Sequence, residues 1–213
     1  MTIRIGTRGS KLALAQTEIV AKKLKNLGIE VEQKIISTQG DEVTGVPLHE
    51  LGKQGVFVKA LDDAILDGEI DCAVHSMKDI PAIRPSGLVI AAILQRDSPA
   101  DYLAYFGPVS AVKIVGTSST RRKAQLLRHD PDLVVRDLRG NVDTRMRKLH
   151  EGQYNAIVLA EAGLQRLGLR IPGERLPPEK FVPTPNQGTV AVVSRADPSL
   201  MGILALPDRQ SVV

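Results

Sequence analysis

Short basic and hydroxylated segments follow four apolar runs of this chain. They span residues 6–10 (GTRGS), 75–79 (HSMKD), 116–122 (GTSSTRR) and 139–141 (RGN). In an open α/β sheet, ligands bind beyond the carboxyl ends of the strands, where helix N-termini also offer N–H groups. Arginine and lysine at four such places predict one cleft for a ligand that carries several negative charges.

The hydroxyl-rich loop with a double arginine gives the sharpest of these signals. Thr117, Ser118 and Ser119 stand where a strand turns into a helix, and Arg121 and Arg122 carry planar guanidinium groups suited to carboxylate or phosphate. One interpretation is an anion site. The other is a helix N-cap followed by two solvated arginines, and the residues alone favour neither.

Two further clusters follow the same logic. Gly140 permits close approach of the backbone, and Asn141 shares a helix face with Arg145. The residues that predict these two anion sites are Arg139, Gly140, Asn141 and Arg145 for one, and Arg8 and Ser10 for the other.

A mixed cluster contains the only acid of these four loops. Ser76, Lys78 and Asp79 follow an apolar strand, and a carboxylate among cations stays ionised, so that Asp79 could stabilise a substrate cation or move a proton. The plainer alternative is a salt bridge between Lys78 and Asp79. Asp41 is a second candidate acid, and its plainer interpretation is a turn residue.

The other reactive residue types point to structure rather than chemistry. His75 is expected in the core, the single cysteine Cys72 lies in an apolar strand pattern, and the histidines show no metal-ligand spacing. We therefore predict no metal site. A net charge of +4 permits an anionic partner, but 3% aromatic residues argue against a stacking surface for nucleic acid. We expect no membrane segment, and a cytoplasmic protein.

Strands alternate with helices along the whole chain, which predicts an α/β fold of two similar lobes with mainly parallel sheets and the cleft between them. Polar residues near position 96 predict a crossing between domains. We expect domain 1 at 1–95 plus 189–213 and domain 2 at 98–186, with a long functional loop at 38–55 and a proline-rich return at 172–187.

Together these loops resemble the hydroxymethylbilane synthase family, also called porphobilinogen deaminase. The matching stretches occur in the family's order at 6–16, 55–59, 71–81, 115–122, 138–145 and 162–168. The resemblance implies two lobes like those of bilobal periplasmic binding proteins and a small third domain. It also implies a cytoplasmic transferase of heme biosynthesis, which deaminates four porphobilinogen molecules and joins them into linear hydroxymethylbilane on a dipyrromethane cofactor.

The resemblance also assigns roles to residues. Asp79 matches the catalytic aspartate. The cofactor-binding matches are Arg8, Ser10, Ser76, Lys78, Thr117, Ser118, Ser119, Arg121, Arg122, Arg139, Gly140 and Asn141. The substrate-binding matches are Arg8, Arg139, Arg145, Phe57, Arg166 and Gln187. The expected partner is porphobilinogen alone, bound by a monomer without nucleic acid or membrane.

The 213 residues depart from the family at one important point. The cysteine that holds the cofactor belongs to a Gly-Gly-Cys segment of the third domain, and Cys72 does not align with it. We expect that this chain cannot hold the cofactor covalently and is inactive without that domain. The alternative is a two-lobe protein that binds a small polycarboxylate without turnover.

Overall fold

The computed structural model describes residues 2–37 and 56–205. They fall into two compact units: unit 1 comprises Met1–Arg96 with Thr189–Val213, and unit 2 comprises Asp97–Gly188. The strands are β1 (Thr2–Thr7), β2 (Glu30–Ile35), β3 (Cys72–Ser76), β4 (Leu88–Ile93), β5 (Asp101–Tyr105), β6 (Ile114–Gly116), β7 (Val134–Arg136), β8 (Ala156–Ala160), β9 (Gly173–Leu176) and β10 (Val190–Arg195). The helices are α1 (Lys11–Asn26), α2 (Val56–Leu66), α3 (Thr120–His129), α4 (Val142–His150), α5 (Glu161–Arg166) and α6 (Pro198–Leu204).

Unit 1 is built on a five-stranded sheet in the order β2-β1-β3-β10-β4. Strands β2, β1 and β3 are parallel, whereas β10 is antiparallel to both of its neighbours. Side chains alternate between two layers of core: Val74 and Val192 pack in the cluster that includes helices α1 and α6, and Ala73 and Val193 in the cluster that includes α2. Burial on both faces explains why these strands are continuous apolar runs.

Unit 2 repeats this arrangement with the order β7-β6-β8-β5-β9. Strands β7, β6 and β8 are parallel, and β5 runs antiparallel to β8 and β9. Val158 packs with Leu126 of α3 on one face, and Ile157 packs with Leu149 of α4 on the other. Each unit is thus a three-layer α/β body.

The α/β class predicted from the sequence is confirmed, and each sheet proves to be mixed. The antiparallel strand β5 and the edge strand β9 were not predicted; β9 has four residues and lies within the stretch expected to be a plain proline-rich connection. A short edge strand buries few side chains and therefore leaves little periodic signal. The loop expected at 38–55 lies outside the described residues. Among the described residues, no helix has the length and apolar character to span a membrane.

Candidate functional site

The parallel strands of unit 1 bring two of the predicted loops to one edge of the sheet. Ile5 pairs with Cys72 and Gly6 with Ala73, so the residues after β1 and after β3 emerge side by side. The loop after β1 carries Arg8 and Ser10; Ser76 ends β3, and the turn after it carries Lys78 and Asp79.

Ser10 and Ser76 are both held in place by local hydrogen bonds. The Ser10 hydroxyl caps α1 by accepting a hydrogen bond from the backbone N–H of Ala13 at 3.3 Å. The buried side chain of Gln16 donates from Nε2 to the Ser76 hydroxyl at 2.8 Å. Because both hydroxyl oxygens act as acceptors here, each O–H proton is available for a bound anion.

Lys78 and Asp79 lie on a single 3₁₀ turn, Met77–Asp79, directly after β3. The backbone N–H of Met77 donates to the carbonyl of Thr189 at 2.9 Å, which ties this turn to the start of β10. The side chain of Lys78 is half-buried and that of Asp79 is exposed. Asp79 is thus the accessible carboxylate of a loop that also carries a cation.

His75 is a buried ring that lies close enough to Arg84 and Arg8 to feel their charge. Its ring is buried, as predicted, and its Nε2 atom has no hydrogen-bond partner within the described part of the chain. Burial, followed by the positive charges of Arg84 and Arg8, lowers the pKa of His75 to about 3. A neutral histidine here is the expected response to a low-dielectric, electropositive surrounding.

Cys72 is a core residue, as the sequence predicts. It is fully buried, and burial, followed by the charge of Asp71, raises the pKa of its thiol to about 12. A thiol of this kind is a poor nucleophile at neutral pH because almost none of it is thiolate.

In unit 2, the loops after β6 and β7 are joined by one serine. Gly116 pairs with Arg136, which places the two strand ends side by side. The Ser118 hydroxyl donates to the carbonyl of Leu138 at 2.9 Å and accepts from its N–H at 3.0 Å. Thr117 accepts from the N–H of Ser119 at 3.2 Å. These contacts fix the hydroxyl-rich loop against the Arg139 loop.

Helices α3 and α4 both begin with a capping residue at this edge. The Ser119 hydroxyl accepts from the N–H of Arg122 at 3.4 Å, and Oδ1 of Asn141 accepts from the N–H of Thr144 at 2.9 Å. Ser119 is therefore an N-cap, as one of the two interpretations of its loop expects, and Asn141 is the N-cap of α4. Capping does not exclude anion binding, since the Ser119 O–H and the Asn141 amide remain donors beside a positive helix end.

The Arg139 loop depends on Gly140. Its φ of +106° is unfavourable for other residues, and a Cβ there would lie 2.6 Å from the Thr144 side chain. The carbonyl of Gly140 accepts from Nε of Arg145 at 2.8 Å, so the arginine folds back over the loop. Arg139 and Arg145 are both half-buried.

Arg121 and Arg122 are not simply solvated arginines. Both donate to the carboxylate of Asp101: Nη2 of Arg122 lies 2.6 Å from Oδ1, and Nη2 of Arg121 lies 2.9 Å from Oδ2. The side chain of Arg122 is only 8% exposed, whereas that of Arg121 is 27% exposed. Asp101 was not predicted from the sequence. The one available signal for it was an acidic residue at the start of an apolar stretch.

Arg166 and Gln187 make contacts inside unit 2. Nη2 of Arg166 contacts Asp97 Oδ2 at 2.7 Å and donates to the carbonyl of Gly188 at 2.5 Å. Nε2 of Gln187 donates to the carbonyl of Pro99 and to Oδ1 of Asp101, both at 2.8 Å. Substrate binding by these two residues stays a prediction.

Two residues singled out in the sequence lie outside the described part of the chain: Asp41, and the side chain of Phe57. Gln16 is a residue that sequence reasoning missed. The available signal was a glutamine at helical spacing from Val20 and Leu24.

Comparison with solved structures supports the fold. The chain aligns with an ancestral cationic amino acid solute-binding protein at a TM-score of 0.58 and 15% identity, covering 95% of this chain and 86% of that one. A periplasmic substrate-binding protein of an ABC transporter from Coxiella burnetii gives a TM-score of 0.56 at 14% identity, over 95% and 90% of the two chains. At such identities the likeness concerns the fold alone.

Comparison of sequences identifies the family. The family model described as "Porphobilinogen deaminase, dipyromethane cofactor binding domain" matches residues 3–202. The chain is 57% identical over 202 residues to a probable porphobilinogen deaminase of Methanosarcina acetivorans, covering 92% of this chain and 64% of that protein. It is 45% identical to the porphobilinogen deaminase of Bacillus subtilis, covering 96% and 68%. The chain therefore belongs to the porphobilinogen deaminase family.

Proposed function

We propose that this chain takes part in the deamination of porphobilinogen and the joining of four such units into linear hydroxymethylbilane. The observation that carries the proposal is its high identity to proteins named porphobilinogen deaminase. The polar loops that the reaction would use lie where strands end, at the position where α/β proteins bind ligands.

The donor groups of these loops fit the dipyrromethane cofactor, whose acetate and propionate groups carry several negative charges. Hydroxyl and amide donors beside helix N-termini, together with guanidinium and ammonium groups, are the usual partners of carboxylates. When bound, the cofactor supplies the pyrrole chain that is extended. The residues proposed to hold it are Arg8, Ser10, Ser76, Lys78, Thr117, Ser118, Ser119, Arg121, Arg122, Arg139, Gly140 and Asn141. The residues proposed to bind the substrate are Arg8, Arg139, Arg145, Phe57, Arg166 and Gln187.

Covalent attachment of the cofactor does not fit the only cysteine of this chain. Cys72 is fully buried, and burial raises the pKa of its thiol to about 12. We therefore propose that residues 1–213 bind the cofactor only noncovalently and do not turn over porphobilinogen by themselves. The finished reaction would need a separate segment that carries a reactive cysteine.

Asp79 is the proposed catalytic residue. Loss of ammonia from porphobilinogen leaves positive charge on the pyrrole ring and its nitrogen. An exposed carboxylate on the turn after β3 can stabilise that charge and accept the proton that is released when the new carbon–carbon bond forms. Lys78, one residue before it, would bind a carboxylate of the cofactor.

The test measures disappearance of porphobilinogen with two proteins: the 213-residue chain, and a fusion of this chain to the C-terminal third of the Methanosarcina acetivorans relative. We expect turnover only in the fusion. In the fusion, Asp79→Asn should lower kcat by about 100-fold or more, the range of lost acid–base catalysis. Asp67→Asn, which changes another exposed aspartate of unit 1, is the matched control.

Each arm of this test has a result that opposes the proposal. A cofactor-loaded fusion that leaves porphobilinogen unchanged refutes the assigned reaction, and binding of polycarboxylates without turnover would support the alternative of a pure binding protein. Turnover by the 213 residues alone refutes the need for a second segment. That the protein is a cytoplasmic monomer using neither membrane nor nucleic acid is also a proposal; light scattering on the purified chain tests the monomer.

A further inference from the structure

The buried carboxylate of Asp101 contacts both Arg121 and Arg122 of unit 2. Asp101 is fully buried and begins β5, where it pairs with Ala160 at the end of β8. Because β5 is antiparallel to β8, its first residue lies at the same edge of the sheet as the carboxyl ends of the parallel strands. Asp101 is therefore placed directly beneath the ligand-binding edge.

Both carboxylate oxygens of Asp101 are occupied. Oδ1 accepts from Nη2 of Arg122 at 2.6 Å and from Nε2 of Gln187 at 2.8 Å, while Oδ2 accepts from Nη2 of Arg121 at 2.9 Å. Burial alone would raise the pKa of Asp101, but the charge of Arg122 and the hydrogen bonds from Arg122, Gln187 and Arg121 outweigh burial and lower it. The group is an ionised aspartate at neutral pH.

The two arginines differ in their burial and in their remaining hydrogen-bond partners. Arg122 is buried; its Nη1 donates to the carbonyl of Val158 at 3.1 Å, and its Nε has no partner among the described residues. Arg121 is the more exposed of the two, and the carbonyl of Val182 accepts from its Nη1. Two cations share one anion, so the cluster keeps one net positive charge, and its accessible part is Arg121.

We propose that Asp101 is a positioning residue, which orients the guanidinium of Arg121 toward a carboxylate of the bound pyrrole chain. Arg122 is the buried counter-ion of Asp101. This inference rests on the proposed function, because it takes the ligand to be a polycarboxylate. It distinguishes the accessible arginine of the pair from the buried one, although the two look equivalent in the sequence.

The experiment measures binding of a synthetic dipyrromethane that carries acetate and propionate groups to the 213-residue chain, by titration calorimetry. Arg121→Gln and Asp101→Asn should each weaken binding by about ten-fold or more, the value of one charge-assisted hydrogen bond. The double variant should bind no more weakly than Arg121→Gln, because Asp101 acts only through Arg121. Arg128→Gln, an exposed arginine of the same helix, is the matched control for charge.

A merely structural Asp101 would give a different pattern. Its variant would lower the unfolding midpoint and leave the affinity of the folded protein unchanged, or its effect would add to that of Arg121→Gln; either result overturns the inference. If Asp101→Asn does not fold, Arg121→Lys decides the matter. It keeps the charge but loses the planar group held by two acceptors, and wild-type affinity in this variant overturns the inference. Failure of the unchanged chain to bind the dipyrromethane overturns the proposed function as well.

Discussion

Replacing Ser118 with alanine should loosen the two loops of unit 2 that we propose to bind the ligand. The hydroxyl makes two hydrogen bonds to the backbone of Leu138, at 2.9 and 3.0 Å, and Leu138 itself is fully buried. Each such bond stabilises a fold by about 1 kcal/mol net, so their sum is about 2 kcal/mol. Because Ser118 is exposed and water can replace part of the loss, we expect a decrease of about 1 to 2 kcal/mol in the free energy of unfolding.

Tyrosine fluorescence during urea unfolding is the suitable assay. The chain has no tryptophan, and its three tyrosines, Tyr102, Tyr105 and Tyr154, all lie in unit 2. The signal therefore reports this unit separately from unit 1. Ser110→Ala removes an exposed hydroxyl from the same unit and serves as the control.

Two results would contradict the reasoning about Ser118. The first is a decrease in unfolding free energy below about 0.5 kcal/mol, the ordinary range of surface substitutions, as expected for Ser110→Ala. The second is unchanged hydrogen exchange at the Leu138 amide, which should lose its acceptor in the Ser118→Ala variant and exchange faster.

Three further predictions concern backbone strain, pH and thiol reactivity. In urea unfolding, Gly140→Ala should destabilise unit 2 by clearly more than Gly152→Ala. Both glycines have a positive φ, but only a Cβ at position 140 meets a side chain, that of Thr144 at 2.6 Å. Equal losses of unfolding free energy would contradict this. His75 has its pKa lowered from 6.5 to about 3, so the unfolded chain binds the extra proton and stability falls as pH decreases from 6.5 toward 3. His75→Gln should remove up to about 1.4 kcal/mol per pH unit of that slope, by circular dichroism of urea unfolding; an unchanged slope would refute the buried neutral ring. Cys72 should react with a thiol reagent at pH 8 only after denaturation, since it is buried with a pKa raised to about 12; rapid reaction of the folded chain would disprove its burial.

Much of the fold could be predicted from the sequence because the buried strands are apolar on both faces. Val74 and Ala73 point to opposite layers, and both positions must be apolar, which makes β3 a visible run. Strand β9 could not be predicted in this way. It lies at the edge of its sheet, and Gly173, Glu174 and Arg175 are exposed. The sequence pattern therefore does not indicate a strand.

The candidate site could be predicted by residue type but not by partner. Arginine, serine and asparagine at strand ends indicated anion binding, and the capping geometry of Ser119 and Asn141 follows from the same side chains. The carboxylate of Asp101 could not be paired with Arg121 from the sequence, because 20 residues separate them and an antiparallel strand joins them in space. Long-range pairing is a property of sheet order, which local spacing does not encode.

The position of β10 affects how the chain can fold during synthesis. This strand pairs with both β3 and β4, yet about a hundred residues of unit 2 are translated between β4 and β10. A nascent chain that has released only its first 96 residues thus lacks the strand between β3 and β4. The continuous unit 2 can reach its native contacts first, whereas the edges of β3 and β4 lack their strand partner until residue 195 has been synthesised. During that interval they are the natural target for a chaperone.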